Sequence, residues 1–198
     1  MTCSICVVTP TIGRPSLHRM LSILQPQMSF EDEVRVIGDG PQPSARTICE
    51  RFPSVKYSEI PLIRNYGNPQ RNLAIQETTA DIIMFIDDDD VPKDLALFDV
   101  RAAVRDNPGR PLMFRMYHQD RVIWADKNVR VGNVSGQMFV VPNIKDRIGK
   151  WSGKYAADFD FITSTIILQP EKLDSVVWRE EIIAHQGFAG PGIYGREI

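Results

Sequence analysis

The first half of the chain alternates short apolar runs with segments whose apolar residues recur at helical spacing. Four apolar runs predict β-strands, at residues 5–9, 34–37, 55–60 and 82–86. Between and after them lie predicted helices, which begin near Ser16, at residue 45, after a cap at Asn68 and at residue 95. Because strands alternate with helices, we expect a parallel sheet with right-handed crossovers over about the first 105 residues.

The second half predicts a different arrangement. Short runs separated by polar and glycine-containing turns favour antiparallel strands at residues 112–117, 122–124 and 138–141. Residues 158–168 favour a helix, residues 181–185 a late strand, and the glycine-rich residues 187–198 a mobile loop. We therefore predict a single α/β domain over residues 1–198.

Polar residues follow three of the predicted parallel strands at the point where each strand ends. They are Thr9-Pro10-Thr11 after the first strand, Asp39 after the second, and the run Asp87-Asp88-Asp89-Asp90 after the fourth. In open parallel sheets, ligands bind outside the carboxyl ends of the strands. These residues therefore predict one binding site at that edge of the sheet.

Composition narrows the choice of ligand. The 198 residues carry a formal net charge of -2, which gives no bulk attraction to nucleic acid. No apolar run approaches the roughly 18 residues of a membrane span, and three cysteines are an odd number for a disulfide framework. Cys3 and Cys6 spell C-x-x-C, but in a strand they point to opposite faces. We expect free thiols, no integral membrane segment and a cytoplasmic protein.

The four adjacent aspartates require compensation for their charge. At about 4 Å and an effective dielectric constant near 20, one pair of like charges costs on the order of 4 kcal/mol. The unbroken apolar run of residues 82–86 fixes the aspartates at the end of a buried strand. Hard oxygen ligands suit Mg²⁺, Mn²⁺ or Ca²⁺, so the run predicts a divalent metal site, with a capping or solvated turn as the alternative.

Three kinds of metal site could use such a run. A calcium-binding EF-hand loop is excluded, because Pro92 and Phe98 occupy the positions that require Gly and Glu. A phosphatase of the haloacid-dehalogenase type would use Asp87 as nucleophile and Asp89 as acid and base. The third kind is the D-x-D motif of a nucleotide-sugar transferase, with Asp87 and Asp89, or Asp88 and Asp90, as the pair.

Several segments together resemble the family 2 glycosyltransferases. They are residues 8–15 (VTPTIGRP), 36–40 (VIGDG), 67–75 (GNPQRNLAI) and 85–90 (FIDDDD), whose order and spacing agree with that family over residues 5–95. The chain differs from the usual pattern at Gly38, at Gln70, where the family has a small residue, and at Ala74. The resemblance implies a GT-A-like, Rossmann-type three-layer sandwich with a mostly parallel central sheet.

The resemblance also implies roles for individual residues. A nucleoside-diphosphate sugar, most often a UDP-sugar, would bind the residues 1–105 half through Thr9, Pro10, Thr11, Asp39, Arg71, Asp87 and Asp88. Mn²⁺ or Mg²⁺ would be held by Asp89, Asp87 and the late His185, and would bridge the diphosphate. The segment of residues 132–137 is a further candidate for the donor-sugar pocket.

The remaining implied roles lie in the residues 106–198 half, where a glycan or other hydroxyl acceptor would bind. Asp158 matches the position of the family's catalytic base, although Ala157 replaces the preceding Glu, and Asp160 could support it. Capping of the helix is the alternative role for Asp158. Trp124, Trp151 and Tyr117 could stack on a sugar or pack in the core. A sugar-nucleotide-binding module without catalysis is the alternative to an enzyme.

Overall fold

The computed structural model describes residues 3–118 and 121–187, which form one mixed α/β fold. The strands are β1 (Ile5–Thr11), β2 (Glu33–Asp39), β3 (Val55–Ile60), β4 (Ile82–Phe85), β5 (Val91–Pro92), β6 (Leu112–His118), β7 (Arg121–Ile123), β8 (Phe139–Pro142) and β9 (Val177–His185). The helices are α1 (Ser16–Leu24), α2 (Pro43–Cys49), α3 (Asn68–Glu77), α4 (Ala96–Asp106) and α5 (Ala157–Ile167). Single 3₁₀ turns lie at Gln25–Gln27, Gly136–Met138, Lys145–Arg147 and Lys172–Ser175.

All these strands belong to one sheet in the order β3-β2-β1-β4-β8-β6-β9-β5, with β7 paired to β6. The pairings among β3, β2, β1 and β4 are all parallel, as the alternation of strands and helices predicts. Beyond β4 the direction reverses, because β8 is antiparallel to both β4 and β6. The last long strand, β9, then runs parallel to β6 and antiparallel to the short β5.

Helices cover both faces of this sheet and form the outer layers of a three-layer sandwich. Alternate residues of β1 and β4 enter two separate cores, so that Val8 and Phe85 face one side and Val7 and Met84 the other. Helices α3 and α5 pack on the first side, whereas α1, α2 and α4 pack on the second. The predicted α/β fold class is therefore confirmed.

The ends of some elements differ from the prediction. Strand β1 continues through Pro10 to Thr11, which places both residues in the sheet next to Ile37 and Gly38 of β2. The cap of α3 is Gly67, and Asn68 is the first helical residue without a capping side-chain bond. Gly67 has φ +78°, a left-handed conformation that Asn tolerates less well than Gly. Helix α2 also begins earlier than predicted, at Pro43.

The cysteines are free thiols, as expected. Cys6 lies in the core under α3 and α5, whereas Cys3 packs against the opposite core. Burial raises the pKa of Cys6 to about 12. The C-x-x-C spacing therefore does not bring the two sulfurs to the same face of the sheet.

Within the residues that the structure describes, no helix has the length and apolar character needed to cross a membrane. Of the predicted C-terminal loop, only Gly187 belongs to this part of the chain. Residues 188–198 lie outside the described residues.

Close packing at Gly136 generates a test of the fold. A Cβ added there would overlap the outer edge of the Trp151 ring. That ring stacks on Phe161 with centroids 4.7 Å apart and meets Phe85 edge-on at 5.0 Å, so it has little room to move. We expect Gly136→Ala to lower the free energy of unfolding by about 1–3 kcal/mol, measured by urea denaturation.

The matched control for this change is Gly153→Ala. The nearest atom to an added Cβ there is the Asn65 Nδ2, at 3.4 Å, which is an ordinary contact. We expect this variant to unfold within about 0.5 kcal/mol of the wild type. Equal stability of the two variants would show that the Trp151 ring is not fixed by its aromatic neighbours.

Candidate active site

A cavity of about 570 Å³ opens at the carboxyl ends of β1, β2 and β4. Its lining includes most of the residues predicted to bind the donor nucleotide, namely Pro10, Thr11, Asp39, Arg71, Asp87 and Asp88. Thr9 is not part of this lining; it is fully buried, and its hydroxyl has no hydrogen-bond partner. The predicted convergence of three strand ends is therefore present, with Thr9 lying beneath the cavity.

The aspartates after β4 form a tight turn, and Asp90 holds it together. The Asp90 N–H donates to the Asp87 carbonyl at 3.0 Å, while the Asp87 N–H donates to Asp90 Oδ2 at 3.2 Å. The Gly187 N–H donates to Asp90 Oδ1 at 3.1 Å. Burial raises the pKa of Asp90, and the neighbouring Asp87 and Asp89 carboxylates add to this effect. Asp90 thus stabilises the turn and joins it to Gly187, which follows β9.

Asp88 is buried on the side of the sheet that faces α1. It accepts a hydrogen bond from the Thr11 hydroxyl at 2.7 Å and forms an ion pair with Arg14, whose side chain is also buried. Burial raises the pKa of Asp88, against the opposing effects of Arg14 and Thr11. Because its oxygens already bond to Thr11 and Arg14, the Asp88 carboxylate is committed to contacts within the protein.

Asp87 and Asp89 are the two members of the run with substantial exposed surface, 28% and 32% of their side chains. Asp87 forms an ion pair with Arg71 and accepts a hydrogen bond from Gln137 Nε2 at 2.9 Å. Asp89 lies 3.5 Å from the Arg14 guanidinium. Partial burial, together with the Asp87 and Asp88 carboxylates, raises the pKa of Asp89 to about 6. Of these two exposed carboxylates, Asp89 therefore has its negative charge less well neutralised by neighbouring groups.

This carboxylate pair fits the way in which Mg²⁺ or Mn²⁺ binds in phosphate-containing sites. Among residues 3–118 and 121–187, no three His, Cys, Asp or Glu side chains are arranged around a common metal position. Mg²⁺ sites of this class use one or two carboxylates together with substrate phosphates and water. The two carboxylates are therefore suited to a metal ion that binds together with a diphosphate.

Arg71 is held from several sides in the first turn of α3. Its guanidinium donates to the Tyr66 carbonyl at 2.8 Å and lies over the Trp151 ring, 4.5 Å from the centroid. The ion pair with Asp87 is formed by its other terminal nitrogen. Gly67 allows this approach, since a Cβ there would lie 2.6 Å from Pro10 and 3.0 Å from the Arg71 guanidinium.

Trp151 is itself fixed by the residue next to Arg71. The Asn72 amide donates to the Trp151 carbonyl at 2.9 Å and accepts from the Trp151 N–H at 3.0 Å. Helix α3 is thereby joined to the loop that leads into α5. This support was not predicted, because nothing local in the sequence pairs residues 72 and 151.

Asp39 has a different environment from the one expected for a direct nucleotide contact. Its two oxygens accept hydrogen bonds from the backbone N–H groups of Ile63 and Arg64, at 2.7 and 2.8 Å. Arg64 has φ 57°, so this pair of bonds holds an unusual loop conformation between β3 and α3. Asp39 lines the cavity and also fixes its wall.

Asp158 lies in the first turn of α5, close to the paired Arg71 and Asp87. Burial raises its pKa; hydrogen bonding from the Phe159 N–H and the Arg71 charge act in the opposite direction, and Asp87 adds to the rise. The Phe159 N–H donates to Asp158 Oδ1 at 2.8 Å, and this is not a helix-capping bond. Asp160 instead accepts from the Ser152 hydroxyl at 2.7 Å.

His185 ends β9 and pairs with Val91, the residue that follows the aspartate turn. Its ring stacks on Tyr117, with centroids 4.4 Å apart. Burial and the nearby Lys93 lower its pKa, which favours the neutral imidazole that metals bind. The fold therefore places His185 beside the turn, although no contact with Asp87 or Asp89 is formed.

Trp124 and Trp151, two of the aromatic residues expected as possible sugar platforms, are core residues with 3% and 6% exposure. The exposed aromatic pair near the site is Tyr66 and Tyr155, whose rings meet edge-on at 5.5 Å. Tyr155 is 85% exposed and lies three residues before Asp158. No alternation or motif distinguishes it in the sequence.

Two further residues of the site had no individually predicted role. Arg14 appears in the string VTPTIGRP, and its place three residues after the end of β1 was the available signal. Gln137 falls within the segment of residues 132–137, which was expected near the donor sugar; the 3₁₀ turn Gly136–Met138 carries it to Asp87. Both contacts join residues that are at least 50 positions apart in the chain.

Comparisons with known proteins agree with this geometry. Residues 6–156 match the family model described as Glycosyl transferase family 2. No curated protein sequence matches the chain.

Solved structures show the same fold at low sequence identity. TarS 1-349 from S. aureus superposes with a TM-score of 0.76 at 17% identity, over 93% of this chain and 60% of that one. A complex of TarS 1-349 with UDP superposes with a TM-score of 0.77 at 17% identity, over 95% of this chain and 61% of that one. A third structure is the glucosyl-3-phosphoglycerate synthase of Mycobacterium tuberculosis in complex with Mn²⁺, UDP and glucosyl-3-phosphoglycerate. It superposes with a TM-score of 0.72 at 13% identity, over 95% of this chain and 73% of that one. The chain thus spans about 60% of TarS 1-349.

The different burial of Asp88 and Asp89 generates a test of the site. We expect Asp88→Asn to lower the free energy of unfolding by about 3 kcal/mol, because it removes the charge that pairs with the buried Arg14. Asp89→Asn should change it by less than about 1 kcal/mol, since Asp89 is half-buried among like charges. Urea denaturation of the two variants checks this, and a larger loss for Asp89→Asn would contradict the assignment.

Proposed function

The chain belongs to glycosyl transferase family 2, and on that premise we propose that it transfers a sugar from a nucleoside-diphosphate sugar to an acceptor hydroxyl. The observation that carries this proposal is the cavity at the strand ends, where Arg71 pairs with the half-exposed Asp87, with the half-exposed Asp89 in the same aspartate turn. A divalent metal and a diphosphate together satisfy such a set of charges.

UDP is the nucleotide we propose for the donor. Complexes of TarS contain UDP or UDP-GlcNAc, and three of the glucosyl-3-phosphoglycerate synthase contain UDP with Mn²⁺ or Mg²⁺. Thr11, Pro10 and Asp39 line the part of the cavity next to β1 and β2, where the nucleoside would lie. Arg71 at the other side would meet the diphosphate.

Asp87 and Asp89 would hold Mn²⁺ or Mg²⁺, with His185 beside the turn as a further candidate ligand. When bound, the metal neutralises charge on the diphosphate leaving group. The frame of Asp88 and Asp90 is less suitable, because both of these carboxylates are buried and bonded within the protein.

Asp158 is the proposed catalytic base. Its carboxylate would take the proton of the acceptor hydroxyl while that oxygen attacks the anomeric carbon and the bond to the diphosphate breaks. Attack on the face opposite the leaving group gives inversion. The raised pKa of Asp158 makes it a better proton acceptor than an ordinary surface aspartate.

The acceptor, a glycan or another hydroxyl compound, would approach from the residues 106–198 half of the domain, as the residues 1–105 half holds the donor. Tyr155 offers an exposed ring at this approach. A sugar face can stack on such a ring. The family match and the Arg71–Asp87 pairing favour a transferase over the phosphatase alternative, which would need Asp87 as a free nucleophile.

Donor binding gives the first test of this function. We expect isothermal titration calorimetry to detect UDP binding with Mn²⁺ and a loss of at least tenfold in affinity when EDTA removes the metal. Asp89→Asn should cause a similar loss, because it removes the least compensated carboxylate of the pair. The control Asp106→Asn alters an exposed carboxylate on α4 and should bind like the wild type. Absence of any UDP binding by the wild type would contradict the proposal.

Transfer gives the second test. We expect Asp158→Asn to retain the wild-type dissociation constant for UDP but to lower kcat by about 10²- to 10⁴-fold, since the proton acceptor is lost. The measurement is UDP release from UDP-GlcNAc or UDP-glucose with a mixture of glycan acceptors. Asp160→Asn is the matched control, because Asp160 is bonded to Ser152. Wild-type turnover in Asp158→Asn would remove Asp158 from this role.

A further inference from the structure

Gln70 is a buried amide in the first turn of α3 that lines the cavity. Only 1% of the residue is exposed, and within residues 3–118 and 121–187 its Oε1 atom has no hydrogen-bond partner. Most buried side-chain polar atoms in proteins have such a partner, because an unpaired one loses its bonds to water without replacement. An unpaired buried acceptor at the wall of a binding cavity therefore indicates a group that a ligand completes.

The position of Gln70 on α3 indicates which part of a ligand it meets. Ala74, one helical turn later on the same face, is fully buried in the core against the sheet. Gln70 therefore lies over the same side of the sheet, nearer the strand ends. Gly67 brings the start of this turn against Pro10 of β1. This is the part of the cavity next to β1 and β2.

The Asp39 side chain was also expected to contact a nucleoside here, but it is already hydrogen-bonded within the protein. Each of its oxygens accepts a backbone N–H from the loop between β3 and α3, at 2.7 and 2.8 Å. Gln42, a second amide of the cavity, donates its Nε2 to the Asp39 carbonyl at 3.0 Å. In contrast, the Gln70 Oε1 is available to accept a hydrogen bond.

We propose that Gln70 reads the nucleobase of the donor, with its Oε1 accepting the N3–H of uracil and its amide N–H facing an adjacent carbonyl oxygen. An amide can form both bonds because it carries an acceptor and a donor side by side. A small side chain at this position could not reach the base in this way. The inference rests on the proposed function, since it assumes a uracil-containing donor.

The test combines a protein variant with a modified ligand. Gln70→Met keeps the length of the side chain but removes the amide. Calorimetry in the presence of Mn²⁺ would compare UDP, 3-methyluridine diphosphate, which lacks the N3–H, and inorganic pyrophosphate. We expect Gln70→Met to bind UDP about 5- to 100-fold more weakly than the wild type, and pyrophosphate equally well.

The methylated ligand isolates the bond itself. The wild type should bind 3-methyluridine diphosphate about as weakly as Gln70→Met binds UDP, whereas Gln70→Met should bind UDP and its methylated form nearly alike.

Gln25→Met is the control, because Gln25 lies in a 3₁₀ turn after α1 and bonds to Ser54, outside the cavity. Its UDP affinity should remain that of the wild type. The melting temperature of Gln70→Met should not fall, since the Oε1 that it removes has no partner to lose.

The outcomes separate this inference from the function on which it rests. Equal UDP affinity in the wild type and Gln70→Met, or equal affinity of the wild type for UDP and its methylated form, would overturn the role of Gln70 alone. A wild type that binds neither UDP nor pyrophosphate with Mn²⁺ would overturn the proposed function and the inference together.

Discussion

The crowding of four carboxylates at the end of β4 is the constraint on which the rest of the site depends. Two buried arginines resolve it from opposite faces of the sheet. Arg14, after β1, pairs with Asp88 on the α1 side, and Arg71, in α3, pairs with Asp87 on the other side. Neighbouring carboxylates of the turn thus each have a separate cation. The carboxylates would destabilise an isolated turn by mutual repulsion. In the folded protein, their ion pairs connect the turn to the segment after β1 and to α3.

This arrangement divides the aspartates between those bonded within the protein and those proposed to bind a ligand. Asp88 and Asp90 accept hydrogen bonds from protein donors, and they fix the backbone from which Asp87 and Asp89 project. Arg71 is in turn supported by Trp151, which Asn72 holds through two backbone bonds. The side chain on α3 that is proposed to meet the donor and the loop that leads to Asp158 therefore share one support. A rigid support of this kind keeps reacting groups in a fixed geometry.

The sequence was sufficient for the parallel half of the fold and for the edge of the sheet where the cavity opens, since period and strand ends are local properties. Pro10, Thr11, Asp39, Asp87 and Asp88 line the cavity on this basis, whereas Arg71 was expected there only from the family resemblance. Contacts between distant segments were not accessible in the same way. Neither the pairing of Asn72 with Trp151 nor the exposure of Tyr155 leaves a local pattern, and Thr9 differs from Thr11 only in its depth below the edge.

The hydrogen bond from Gly187 to Asp90 has a consequence for the order in which the molecule assembles. These two residues are separated by 97 positions, and their contact requires β9 to be in place beside β5. Contacts between such distant positions form late, because closing a long loop costs chain entropy. During synthesis, the first half of the chain would carry nearly all the donor-site side chains before the aspartate turn gains its last bond. Completion of the turn thus requires that β9, the last strand of the described residues, has docked beside β5.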